Sequence, residues 1–149
     1  MKAREIMSED VRVVTPDEPL THAAQLMRDA DVGLLPVVRS LTERVLEGVI
    51  TDRDITVRHV TNQCEGCTVA QHMTAGRIEA VRPDDVVHDV IGRMRHDKVR
   101  RMPVIDAHHR VVGIVAQADI ARRIGPQEPR QVERLLEDVS EPAHLPASV

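Results

Sequence analysis

Two stretches of the chain carry apolar residues at helical spacing. They occupy positions i, i+3, i+4 and i+7 in both stretches: Leu20, Ala23, Ala24 and Met27, then Val87, Val90, Ile91 and Met94. This spacing predicts two amphipathic helices. Two short runs rich in β-branched residues follow each helix and predict strands, over residues 35–39 and 45–50 and again over 102–106 and 111–115. A short helix is predicted to close each unit, over residues 52–60 and 117–124.

The two units are copies of one another, which indicates an internal duplication. Early landmarks recur at an offset of 67 residues and later ones at 65: Pro16 with Pro83, Pro36 with Pro103, Gly48 with Gly113. A variable hairpin loop absorbs such a difference. Each copy is interpreted as strand, helix, strand, strand, helix, and a unit of about 60 residues is marginally stable alone. We therefore predict an α/β (α+β) fold of two closely packed β-α-β-β-α units.

The duplication divides the chain into four parts. Residues 1–60 form the first repeat, residues 61–68 a linker and residues 69–124 the second repeat. Residues 125–149 are predicted to hold a short helix near 129–139, then a flexible tail rich in proline, alanine and serine.

Composition narrows the function classes. The 149 residues include no Phe, Trp or Tyr and carry a net charge of −4. The aromatic platforms of single-strand binding and the basic footprint of nucleic-acid recognition are therefore missing. No apolar run approaches the roughly 18 residues of a membrane span, and no signal-peptide core follows Met1. We expect a cytoplasmic protein without nucleic-acid or membrane partners.

Three sequence features of the repeats carry a family resemblance. They are the leading segments Arg-Glu-Ile-Met-Ser (4–8) and Ala-Gln-His-Met-Thr (70–74), the Leu-Pro-Val and Met-Pro-Val strands, and the closings from Gly48 to Asp54 and from Gly113 to Asp119. Over residues 3–124 the chain resembles the cystathionine-β-synthase-type (CBS) domain pair. Its short, stand-alone architecture further resembles the bacterial hypoxia- or stress-response members of this family. The resemblance implies a pseudo-twofold module with two clefts, often assembled into a homodimer. Many members bind AMP, ATP or S-adenosylmethionine, and others have no known ligand.

A nucleotide site is expected at residues 48–54, Gly-Val-Ile-Thr-Asp-Arg-Asp, which resemble the ribose-binding pattern of the family. The Asp54 carboxylate can accept hydrogen bonds from both ribose hydroxyls, and the Thr51 hydroxyl can add a contact. By resemblance, the adenine lies near Val11, Val32 and Leu34. The alternative is a capping box in which Thr51 and Asp54 serve only the helix start.

The second copy departs from this pattern, because Ala116 replaces the threonine while Asp119 remains. Its cleft is the weaker candidate. Arg100 and Arg101 precede the second Pro-Val strand and suit bidentate phosphate contacts. The alternative is a solvated basic edge paired with Asp97 or Asp106, and the sequence does not say which cleft the arginines serve.

The linker contains Cys64-Glu-Gly-Cys67, flanked at equal distances by His59 and His72. Two thiolates and two imidazoles suit tetrahedral zinc. The pair also suits a redox dithiol, and the alternative to both is two unremarkable thiols. In a reducing compartment we expect thiols or metal ligands rather than a structural bridge.

No nucleophile motif, P-loop or dinucleotide fingerprint is found, so we do not expect an enzyme. The predicted function is a regulatory module that senses an adenine nucleotide and presents a changed surface to a protein partner. A ligand-free stress-response interaction dimer and a metal or thiol sensor at Cys64 and Cys67 are the alternatives.

Overall fold

The computed structural model describes residues 1–60 and 63–142. The first repeat contains helix α1 (Leu20–Ala30), strands β1 (Leu34–Val38) and β2 (Leu46–Thr51), and a helical turn α2 (Asp52–Asp54) that continues as a π-helix over Ile55–Val60. The short strand β3 (Thr74–Ala75) follows the linker. The second repeat contains α3 (Val87–Asp97), β4 (Arg101–Ile105), β5 (Val111–Ala116) and α4 (Gln117–Ile124), and helix α5 (Pro129–Ser140) follows it.

These elements form a mixed helix and sheet fold, as the sequence predicts. β1 pairs with β2 and β4 pairs with β5, both antiparallel. The strand expected ahead of each amphipathic helix is reduced to one parallel bridge, Val14 to Val37 and Val81 to Val104. The predicted flexible tail falls largely on residues 143–149, which lie outside the described residues, as do residues 61 and 62 of the linker.

The leading segment of each repeat pairs with the sheet of the other repeat. Ser8 and Ile114 exchange two backbone hydrogen bonds of 2.9 and 3.0 Å, which adds the N-terminal segment to the second sheet. Conversely, β3 pairs with β2, with Thr74 opposite Val49. The two repeats therefore cannot be separated without breaking strand pairing in both.

Ion pairs hold the N-terminal segment against the second repeat. The Lys2 ammonium and the Arg4 guanidinium lie 2.8 and 2.9 Å from the same carboxylate oxygen of Asp84. The hydrogen bond from Lys2 and the nearby charge of Arg4 hold the pKa of Asp84 below its ordinary value.

Helix α5 makes the two repeats unequal. Its apolar face, Val132, Leu135 and Val139, is buried in the core of the second repeat, and the Arg95 guanidinium pairs with Asp138 at 2.5 Å. Ile91 on α3 is 2% exposed in this core, whereas the corresponding Ala24 on α1 is exposed. Ala24 shares the apolar spacing of Ile91 but is exposed, because its side of α1 is left open to solvent.

No helix within residues 1–60 and 63–142 has both the length and the apolar character needed to cross a membrane.

Candidate ligand cleft and metal cluster

A cavity of about 680 Å³ lies between the two repeats. Three parts of the chain form its walls. They are the start of β1 with the end of β2, the segment after β3, and the turn between α3 and β4. The lining residues are Gly33, Leu34, Val49, Thr51, Asp52, Arg53, Thr74, Arg77, Ile78, Glu79, Asp97, Lys98, Val99, Arg100, Arg101 and Pro103. The cavity thus unites Leu34 and Thr51 with the two arginines of the second repeat.

Thr51 and Asp54 cap the start of α2 reciprocally. The Thr51 hydroxyl accepts a hydrogen bond from the Asp54 amide at 3.1 Å, and the Asp54 carboxylate accepts one from the Thr51 amide at 3.0 Å. The Asp54 side chain is 14% exposed, and its second oxygen lies 3.7 Å from the Arg58 Nε. The chain therefore forms the capping box by itself, while an ionised carboxylate retains further acceptor positions.

The cavity lining carries more positive than negative charge, although the whole chain carries −4. Five of its side chains are cationic and three are acidic. Glu79 already pairs with Arg77, and Asp97 with His96. Arg100 and Arg101 form no ion pair with any carboxylate in the described part of the chain, so the expected alternative pairing with Asp97 or Asp106 does not occur.

Gly33 leaves space at this wall. A β-carbon there would lie 2.9 Å from a carboxylate oxygen of Asp52 and 3.5 Å from the Arg101 guanidinium. A side chain at this position would shift the Asp52 carboxylate, whereas its contact with Arg101 would be an ordinary one, so the glycine leaves room for the acid beside the arginine.

Of the three apolar residues predicted near the adenine, Leu34 lines the cavity and Val11 and Val32 do not. Val11 packs between the two hairpins with Val38 and Ile105, and Val32 packs in the core of the first repeat. Neither is among the lining residues. The equivalent residues of the second repeat, Ile78 and Val99, line the cavity instead. The pairing of β3 with β2 explains why Ile78, which follows β3, lies here in place of Val11. Val99 comes instead from the turn between α3 and β4.

Asp119 lies away from this cavity, at the start of α4. Its carboxylate accepts a hydrogen bond from the Ala116 amide at 3.0 Å and pairs with Arg122 at 3.1 Å. It repeats the capping geometry of Asp54 on a helix whose start has no threonine hydroxyl.

The two linker cysteines and the two flanking histidines singled out by the sequence converge. One ligand atom from each of His59, Cys64, Cys67 and His72 can be chosen so that all four lie within 4.8 Å of one another. The two imidazole rings meet edge to face, with centroids 5.7 Å apart. His59 Nδ1 and His72 Nε2 are buried and have no hydrogen-bond partner among the described residues.

The sulfur atoms of Cys64 and Cys67 are joined as a disulfide in this structure. We expected thiols or metal ligands rather than a bridge; the pair is oxidised here, and the geometry that lets it form a bridge is local. The tight C-x-x-C turn, with Gly66 at φ +70°, places the two α-carbons 5.8 Å apart, within the range that a disulfide bridges. Disulfide and dithiol are alternative states of this pair, and only the dithiol can bind a cation.

The cluster fits a tetrahedral zinc ion. Bond lengths of about 2.3 Å to sulfur and 2.0–2.1 Å to nitrogen require ligand atoms roughly 3.3–3.8 Å apart. The four atoms lie within 4.8 Å of one another, and the two sulfur atoms would move apart on reduction of the disulfide. A buried imidazole nitrogen without a partner is unfavourable, and metal binding would satisfy both of them.

Comparison with known proteins agrees with the duplication. The family model described as the CBS domain matches residues 3–58 and again residues 69–126. Hypoxic response protein 1 of Mycobacterium tuberculosis is 38% identical over 123 residues, which cover 82% of this chain and 84% of that protein.

Solved structures share the fold. The crystal structure of hypoxic response protein I with two coordinated zinc ions has a TM-score of 0.73 at 38% identity and covers 83% of this chain and 98% of its own. The CBS domain pair of protein MJ0100, in complex with 5′-methylthioadenosine and S-adenosylmethionine, has a TM-score of 0.75 at 27% identity, covering 85% and 98%. With both repeats matched by the family model and by these relatives, the chain belongs to the CBS domain family as a tandem pair.

Proposed function

We propose that this protein is a non-catalytic regulatory module that binds an adenine nucleotide such as AMP or ATP in the cleft between its repeats. The observation that carries the proposal is the shared cavity, which unites Thr51 of the first repeat with Arg100 and Arg101 of the second. The complex of the MJ0100 domain pair with two adenosyl compounds supports the ligand class and keeps S-adenosylmethionine among the candidates.

Each part of the cavity suits one part of a nucleotide. The Thr51 hydroxyl at the wall suits a ribose hydroxyl. Asp54 follows the lining residues Asp52 and Arg53 but is not itself among the lining residues. We propose that its free acceptor positions bind the ribose once a ligand is present, since charged acceptors strengthen such hydrogen bonds. Leu34, Ile78 and Val99 offer an apolar wall to the base. Arg100 and Arg101 suit the phosphates, because a planar guanidinium binds phosphate oxygens in a bidentate manner.

Thermal unfolding with AMP, ADP, ATP and S-adenosylmethionine tests this proposal. A ligand present at about 100 times its dissociation constant stabilises the protein by roughly 2.7 kcal/mol. For a chain of this size, the melting temperature rises by roughly 5–11 °C. We expect the rise in the wild type and not in Asp54→Ala.

Asp119→Ala is the matched control. It removes the same amide cap from the other repeat, at a similar cost of about 1 kcal/mol, but leaves the cavity intact. We expect it to keep the full ligand-induced rise. If no ligand stabilises the wild type, the nucleotide proposal fails in favour of a ligand-free interaction dimer.

A second proposed function is zinc binding by His59, Cys64, Cys67 and His72. Two buried imidazole nitrogens without partners in the described part of the chain favour it, and hypoxic response protein I, which was crystallised with two coordinated zinc ions, supports it. In the dithiol state the two thiolates and two imidazoles would supply a closed, four-coordinate structural site. The disulfide state would release the ion.

Metal analysis tests the zinc proposal. We expect one zinc per chain after full reduction and removal of free metal, and none in His72→Gln, which removes one ligand. His108→Gln, in the exposed turn of the second hairpin, should retain the ion. Cobalt substitution should give the visible absorption bands of a tetrahedral thiolate site. Reduced wild-type protein that takes up neither metal would refute this assignment.

Ligand binding regulates a second protein only if it favours one arrangement of the module over another. We propose that the module acts as a homodimer whose surface a protein partner recognises. Sedimentation equilibrium with and without AMP measures the assembly directly, and a monomer at micromolar concentration under both conditions would contradict the dimer.

A further inference from the structure

Two walls of the cleft, the start of α2 and the segment around β3, are connected along the chain to the histidines of the metal cluster. We propose that zinc in this cluster and a nucleotide in the cleft are coupled, so that each raises the affinity for the other. The inference rests on the two proposed binding functions and adds the regulation of one by the other.

The first connection runs along a single helical segment. Thr51, Asp52 and Arg53 line the cavity, and the chain continues through the π-helix that carries His59. A π-helical turn is rare and frequently occurs at functional sites. The equivalent segment of the second repeat is a regular α-helix, and it carries the buried Ile124 where the first repeat has His59.

The second connection runs through β3. His72 is buried, and only Met73 separates it from Thr74, which lines the cavity and pairs with Val49 of β2. The chain then continues to Arg77 and Ile78 on the same wall. A metal ion bound to His72 would therefore fix the start of this wall.

Arg58 joins the two connections. Its guanidinium donates a hydrogen bond of 3.3 Å to the carbonyl oxygen of His72, and its Nε lies 3.7 Å from the Asp54 carboxylate. The residue next to a metal-binding histidine thus contacts the carboxylate that we assign to the ribose. Arg58 is a positioning residue here, since it touches neither the ion nor the cavity.

We expect zinc to raise the nucleotide affinity because it would order part of the nucleotide site. Zinc would tie the helical segment to the segment that leads into β3, and so fix two walls that a nucleotide must otherwise order on binding. A ligand that binds a preordered site loses less conformational entropy, which gives positive cooperativity. Couplings between distinct sites typically change affinity by about 5–150-fold, and the change is reciprocal.

The test is a pair of titrations on the reduced, full-length protein. AMP is titrated by calorimetry into the zinc-free and zinc-loaded forms, and zinc affinity is measured with and without saturating AMP. ATP is unsuitable, because its triphosphate itself binds divalent cations. We expect zinc to lower the AMP dissociation constant at least about 5-fold, and AMP to lower that of zinc by the same factor.

Arg58→Ala should still bind both ligands but show a smaller mutual effect. Arg123→Ala, at the corresponding position of the second repeat, should keep the full effect. Equal AMP affinity in the two metal states overturns the coupling alone. Failure to bind AMP in either state overturns the nucleotide proposal with it, and failure to bind zinc overturns the metal proposal with it.

Discussion

Leu135→Ala should lower the free energy of unfolding by about 2–5 kcal/mol, the range measured for buried leucines. The Leu135 side chain is fully buried where α5 packs on α3 and α4, so its loss leaves a cavity inside the second repeat. The midpoint of thermal unfolding should fall by roughly 4–20 °C. Urea unfolding followed by circular dichroism measures the change.

The neighbouring Leu136 provides the control, because it is 40% exposed on the same helix and has the same helix propensity. Leu136→Ala should change stability by no more than about 0.5 kcal/mol, as surface substitutions usually do. Equal effects of the two variants would mean that α5 does not pack on the second repeat in solution.

Gly48→Ala should destabilise the protein by about 1–3 kcal/mol, the usual cost of overpacking. A β-carbon at this position would lie 2.5 Å from the carbonyl oxygen of Thr74, so β3 must move away from β2. Since Thr74 and Val49 line the cleft, the variant should also lose part of the ligand-induced stabilisation. Chemical unfolding with and without AMP measures both effects.

Gly92→Ala, in contrast, is expected to stabilise the protein. Gly92 lies inside α3, where a β-carbon would meet no atom of the described residues beyond its own helix within 4 Å, and alanine is favoured over glycine within helices by about 0.5–1 kcal/mol. A Gly48→Ala variant as stable as the wild type would show that β3 is not held against β2 as described.

The positions of the secondary structure elements could be predicted from the sequence because they depend on local patterns. Apolar spacing located α1 and α3, and the strands β1, β2, β4 and β5 begin and end within one residue of their predicted positions. Ala24 shows the limit of such patterns. Its spacing is that of Ile91, but a helix face is buried only if another element covers it, and α5 packs on α3 in the core of the second repeat.

The candidate sites likewise combine residues that local sequence patterns single out with contacts that only the tertiary structure shows. Sequence alone singled out Thr51, Asp54 and the cysteine–histidine set as candidates, because chemically distinctive residues stand out in a linear pattern. It could not place Arg100 and Arg101 in one cleft with Thr51, nor replace Val11 and Val32 with Ile78 and Val99.

Part of this arrangement depends on the leading segment of the second repeat crossing to the opposite sheet. Thr74 pairs with Val49, which brings the segment after β3 of the second repeat beside the first repeat's sheet at the cavity. The sequence by itself determined the duplication, the family and the chemistry available at each motif. Only the tertiary structure decided which residues of the two repeats meet in the cleft and that the two cysteines and two histidines converge, because long-range contacts leave no signal at the local spacing of residues.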